Sequence, residues 1–194
     1  MRGSVVVCSW GADAAGKSTA ELLTLGRAAS HALSVDLDWL VLGSPPDDAQ
    51  GLAARFGASH IDFVADPALG EAGAGPDRSV EALARYCAQS APLVLLMGQT
   101  YDARLVAPRL AGRLGVGVVM NAVDIGLTES GQIEVTATAY GGDTRAAYVF
   151  RDARPCIVAV TPGAVDPAPL AEPAAVPPVR ALMLDLGDVT ERIV

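Results

Sequence analysis

The residues from Gly11 to Ser18, GADAAGKS, carry the most specific chemical spacing in the chain, fitting G-x-x-x-x-G-K-[ST] in full. A loop of this type cradles phosphates on its backbone N–H groups and its lysine, here Lys17, while the serine, here Ser18, holds Mg²⁺. It follows an apolar run and precedes a helical one, the context that this chemistry requires, and Lys17 is the only lysine in the sequence. A metal-binding aspartate belongs at the end of another strand, with Asp124 and Asp185 as the candidates. A plainer reading competes. Ser18-Thr19-Ala20-Glu21 is a capping box, in which Ser18 and Glu21 satisfy each other's backbone donors at a helix start.

A second candidate is the polar turn Gly98-Gln99-Thr100-Tyr101, between the apolar run ending at Met97 and an amphipathic helix from Asp102. Open α/β sheets place ligands at the carboxyl ends of their strands, and a helix N-terminus there receives anions, with Arg104 adding charge. The alternative for this turn is a capped turn with Arg104 on the surface or at a subunit interface.

Elsewhere the sequence offers little chemistry. No Ser/His/Asp set sits at a nucleophile elbow, and neither metal-ligand spacing nor paired carboxylates in an apolar setting occur. His31, at a helix end, and His60, before a strand, lack convergent partners and read as surface or capping residues. Asp36 and Asp38 read as solvated strand-end residues. Cys8, Cys87 and Cys156 are dispersed and odd in number, so neither a zinc site nor a disulfide framework is indicated. Cys8 and Cys156 lie inside apolar runs, as buried small hydrophobes do. No catalytic and no metal-binding residue is expected.

The positioning elements follow from pattern. Short apolar runs at Val5–Ser9, Val35–Leu42, Ile61–Ala65, Leu93–Met97, Val116–Val119 and Cys156–Val160 have the continuous hydrophobicity of strands buried on both faces. Helical spacing separates most of them, at Ala20–Leu33, Asp48–Phe56, Arg78–Gln89 and Asp102–Leu114. Gly57 ends the second helix, and Pro108 is expected to bend the last. Such alternation implies right-handed βαβ crossovers and a mostly parallel sheet covered on both faces. Gln132–Tyr140 alternates instead, turns at Gly141-Gly142-Asp143 and returns through Thr144–Phe150, an added antiparallel hairpin. Six prolines between Pro162 and Pro178 favour an extended linker, and Val179–Leu186 is a last strand before an acidic tail.

Composition sets the remaining bounds. The chain has 194 residues, 51% hydrophobic and 19% charged, which suits one globular domain. A formal charge of −8 without a basic run argues against nucleic acid as a partner. The apolar run in MRGSVVVCSWGAD is too short for a signal-peptide core or a membrane span, so a cytoplasmic protein is expected.

Three motifs in order resemble one family. LMGQTYDARLVAPRLAGRLG is similar to "LGATxxGRDLAPRxAARL", keeping Gly98, Thr100, Arg104, Ala107, Pro108, Arg109, Ala111, Arg113 and Leu114, with Ala103 and Leu105 departing from it. TATAYGGD is similar to "TRPAYGGN", keeping Thr136, Ala139, Tyr140, Gly141 and Gly142, while Ala137, Thr138 and Asp143 differ. GASHIDFVADPAL, from Gly57 to Leu69, echoes "GAxKVYxxDDPAL", and TAELLTLGRAA follows the looser "GxLKxxTLELL". Together they resemble the N-terminal domain of the electron transfer flavoprotein alpha subunit, over about Val5 to Val165 and more weakly beyond.

That resemblance implies a three-layer α/β/α Rossmann-like fold of the adenine nucleotide alpha hydrolase type, with a mostly parallel sheet and the added hairpin. It implies a domain at 1–162, a Pro-rich linker at 163–178, and a strand and tail at 179–194 leading toward a flavin domain. The family's main FAD ligands lie in that flavin domain and have no counterparts here. FAD is therefore expected in a complete complex with a beta-type subunit and not on this chain alone. Gly98, Gln99, Thr100, Arg104, Tyr140, Gly141 and Gly142 are the residues placed near cofactor or partner. Two other readings stand beside this one: a phosphate-loop NTPase using Lys17, and a stand-alone module binding an adenine nucleotide such as AMP, with homo-oligomers as its assembly.

Overall fold

The apolar runs do become strands, and they pair in an order that sets the site. The computed structural model describes residues 3–66, 69, 75–151, 154–187 and 189, with the side chains of Ala12 and Asp13 outside the description. Pro67 and Ala68 of the third motif, and most of the acidic tail, also lie outside it. Among the described residues are strands β1 (Val5–Trp10), β2 (Leu37–Leu42), β3 (His60–Val64), β4 (Val94–Gly98), β5 (Val118–Leu127), β6 (Ile133–Ala139), β7 (Thr144–Val149), β8 (Cys156–Val160) and β9 (Val179–Leu182). The helices are α1 (Lys17–Leu33), α2 (Ala49–Phe56), α3 (Pro76–Ser90) and α4 (Tyr101–Leu114). They form a three-layer α/β arrangement around one sheet of order β7-β6-β5-β8-β4-β1-β2-β3-β9.

The sheet is parallel except at β6, which runs antiparallel to both β5 and β7. Val5 and Val7 of β1 pack on the α1/α2 face, while Val6 and Cys8 pack on the α3/α4 face. Both faces are covered, which is why this strand reads as an unbroken apolar run. The chain leaves β1 toward β2 and β3, then returns to place β4 on the other side of β1. The gap between the carboxyl ends of β1 and β4 is therefore a topological switch point.

Several elements differ from their sequence reading in extent, among them β9, which stops at Leu182 where a strand to Leu186 was expected. β5 runs on to Leu127, because its second half pairs with β6 after a break in register between Val119 and Ala122. α1 begins at Lys17, ahead of the expected Ala20. α4 runs through Pro108, which lies at an exposed position. Gly57 ends α2 with φ 79°, a left-handed conformation that favours glycine, as expected.

Residues 163–178 hold no helix or strand, yet they are tied down as a strap across α1 and α2. The N–H of Gly163 donates to Glu21 Oε2 (2.8 Å), and that of Ala168 donates to Thr24 Oγ1 (3.0 Å). Arg27 donates to the Ala168 carbonyl (2.7 Å), and the Leu170 and Ala174 amides donate to the Arg55 and Ala54 carbonyls (2.8 and 2.9 Å). The strap delivers β9 to the sheet edge beside β3.

Candidate functional site

The two loops that compete in the sequence flank a single crevice. Ser9 of β1 and Ser18 and Thr19 of α1 line it from the β1 side, and Gly98, Thr100 and Asp102 line it from the β4 side. Its volume is about 40 Å³. That is room for water, whereas small-molecule sites occupy about 300–1,000 Å³. Neither an adenine nucleotide nor FAD fits the crevice as folded.

The walls are close because Gly98 lets them be. A Cβ placed on Gly98 would lie 2.7 Å from Ser18 Oγ, so β4 and the first turn of α1 meet where only a hydrogen fits without displacement. Thr100 then caps α4, its Oγ1 accepting from the Ala103 amide at 3.2 Å.

The phosphate-loop geometry does not form around Lys17. Gly11–Ala15 is a 3-10 turn, Gly16 is the cap residue of α1, and Lys17 is the first helical residue. The lysine side chain, 70% exposed, lies along the helix with Nζ 3.6 Å from Glu21 Oε1, and it does not line the crevice. Glu21 itself is buried and holds the Gly163 amide. The expected capping box is absent for the same reason: α1 starts before Ser18, no side chain bonds its cap, and Glu21 is committed elsewhere. Asp124 is exposed on β5 and accepts from the Ile125 amide, and Asp185 accepts from the Gly187 amide. Neither lines the crevice, and no His/Cys/Asp/Glu group among the described residues is arranged to hold a metal.

Gln99 has a different task from the one its position suggests. Its Oε1 accepts from the Asn121 backbone N–H (2.6 Å), and its Nε2 donates to Asn121 Oδ1 (2.7 Å). Its own N–H donates to the Val160 carbonyl (2.8 Å). The buried side chain thus clamps the carboxyl end of β4 to the irregularity in β5, across β8. Asn121 has φ 56°, a left-handed conformation that asparagine tolerates better than most residues. Sequence reasoning missed this residue; a lone amide inside VVMNAVD was the available signal.

Asn121 also connects the crevice side to the second motif. With Thr138, Ala139, Tyr140, Gly141 and Gly142 it lines an open hollow of about 350 Å³. Tyr140 is 86% exposed, and the turn holds Tyr140, Gly141 and Gly142 at φ 49°, 73° and 102°. Of the arginines in the α4 motif, Arg109 pairs with Asp77 (2.9 Å) and Arg113 pairs with Glu81, joining α4 to α3. Arg104 is exposed and has no side-chain partner among the described residues. Among the motif's arginines, it is the one left for an external contact.

The remaining ionisable groups serve the fold. His31 is exposed, while His60 Nδ1 lies 3.1 Å from Asp38 Oδ1, so Asp38 is a partnered residue and not a solvated strand end. Asp62, adjacent on β3, is buried and held by Arg180 and Tyr86. Burial, then the Asp62 charge, pushes the Tyr86 phenol well above its ordinary value. Burial likewise raises the thiols, Cys8 most, Cys87 to about 12 and Cys156 to about 11, which leaves them protonated and poor nucleophiles. No helix among the described residues is long and apolar enough to cross a membrane.

Residues 6–185 match the family model described as the electron transfer flavoprotein domain. The electron transfer flavoprotein subunit alpha of Thermoanaerobacterium thermosaccharolyticum is 28% identical over 143 residues, 74% of this chain and 43% of that protein. Protein FixB of Clostridium saccharobutylicum is 29% identical over 148 residues, 76% of this chain and 43% of its own length. The alpha subunit of Mycobacterium tuberculosis is 32% identical over 162 residues, covering 82% and 46%. The chain spans less than half the length of these curated relatives.

Proposed function

The chain belongs to the electron transfer flavoprotein domain family, and from that premise we propose that it is an alpha-type scaffold that docks a beta-type partner subunit. In this reading the chain performs no bond chemistry of its own. It supports an FAD bound within the assembled complex, and the flavin supplies the electron transfer while protein positions and tunes it. The observation that carries the reading is the family match along almost the whole chain. Two features of the fold support it: a switch-point crevice of about 40 Å³, too small for FAD or a nucleotide, and a Lys17 turned away toward Glu21.

Within that assembly the buried Gly98 and Gln99 shape the carboxyl edge of the sheet from inside, and the exposed Thr100 caps α4 beside them. Arg104 and the Tyr140-Gly141-Gly142 turn are the groups offered to the partner or to the flavin. The exposed tyrosine and the unpaired guanidinium are residue types that interfaces favour. The protein works in the cytoplasm, and nucleic acid is not a partner.

The test is co-expression with a beta-type electron transfer flavoprotein subunit, followed by light scattering on the purified complex and flavin absorbance. A stable complex carrying FAD, weakened by Tyr140→Ala and by Arg104→Ala, is the expected outcome, with the isolated chain colourless. Stoichiometric FAD on the isolated chain, or magnesium-dependent nucleotide turnover abolished by Lys17→Ala, would overturn the proposal.

A further inference from the structure

We propose that β9 is a keyed latch: Asp62 is a buried socket that accepts Arg180, and this pair decides whether the C-terminal strand is docked on the sheet. Asp62 is 2% exposed, on β3, directly opposite Arg180 in the parallel ladder. Arg180 grips it through both oxygens, Nε to Oδ1 at 2.7 Å and Nη2 to Oδ2 at 3.0 Å, and the Tyr86 hydroxyl lies 3.4 Å from Oδ2. The arginine arrives from outside, its side chain 52% exposed.

Little else in β9 would hold it. Val179, Arg180 and Ala181 are exposed, so within the strand apolar burial comes only from Leu182, with Leu184 and Leu186 following on the α3/α4 face. The backbone ladder is compatible with a strand slipped by two residues, which would keep the same face inward but set Leu182 against the carboxylate. A buried charge without its partner is strongly disfavoured, so Asp62 rejects that register. It equally rejects a docked strand that lacks the arginine, because undocking returns its carboxylate to water. Asp62 thus trades intrinsic stability for control of one docking event, and β9 opens as a unit while the rest of the sheet stays closed.

Hydrogen exchange read by mass spectrometry on the whole chain tests this, comparing peptides of β9 with peptides of β1 and β4. Arg180→Met is expected to speed exchange in residues 179–182 by about tenfold to a hundredfold, with β1 and β4 unchanged. Adding Asp62→Asn to Arg180→Met removes the stranded charge and is expected to restore most of the protection. Three results would overturn the latch: β9 protection unchanged in Arg180→Met, protection lost equally in β1 and β4, or no recovery in the double variant.

Discussion

Replacing Gln99 by leucine probes the clamp at the centre of the candidate site. The substitution keeps the buried volume close to native but removes both bonds to Asn121, at 2.6 and 2.7 Å. Each such bond contributes about 1 kcal/mol net, and an N–H left facing an apolar side chain adds about 1 kcal/mol at this partly solvated edge. The loss should total about 2–3 kcal/mol, which for a chain of this size lowers the melting temperature by about 5–10 °C. Urea denaturation followed by circular dichroism measures it. A cycle with Asn121→Gly isolates the pair, because glycine accepts the left-handed backbone at φ 56° and deletes only the side-chain amide. In that background Gln99→Leu should cost about 1 kcal/mol less. If Gln99→Leu stays within about 0.5 kcal/mol of wild type, or the two losses simply add, the clamp is not what organises this edge.

Other expectations follow from the same geometry. Gly98→Ala should cost about 1 kcal/mol, since its Cβ would meet Ser18 Oγ at 2.7 Å, and Ser18→Ala should recover at least half of that in a denaturation cycle. Lys17→Ala should leave stability within about 0.5 kcal/mol, because its pair with Glu21 is solvent-exposed on the lysine side. Calorimetry with Mg-ATP should give the same trace for that variant and wild type; a micromolar affinity lost in the variant would restore the phosphate-loop reading. Alkaline pH should destabilise the fold, because burial raises Cys87 to about 12 and Cys156 to about 11 from an ordinary 9.0. Their contribution is intact below pH 9 and is lost as pH climbs toward the folded values, since the unfolded chain sheds those protons first. Thiolate absorbance from the native protein below about pH 10 would contradict this.

Much of the architecture was legible in the chain itself. Val5–Ser9 and Leu93–Met97 are apolar without alternation because both faces of those strands are covered, and that demand acts on a local window of residues. Ile133–Ala139 alternates because β6 has one covered face, and Gly57 closes α2 because the left-handed position there is local too. The six prolines favoured a segment without helix or strand, since proline acts on its own backbone, and residues 163–178 hold neither; that this segment is tied to α1 depended on the Thr24 and Arg27 side chains, more than a hundred residues away.

The site was another matter. GADAAGKS satisfies a phosphate-loop spacing, yet Lys17 turns to Glu21, and Glu21 is fixed by the Gly163 amide, a partner that no local window contains. The two rival loops share one crevice only because β1 and β4 are neighbours across the switch point. Gln99 found Asn121, and Asp62 found Arg180, through strand order and register. Periodicity and propensity belong to short stretches of chain and survive translation into structure. A hydrogen-bond or ion-pair partner is selected by which strands lie side by side, and only the folded sheet made that choice.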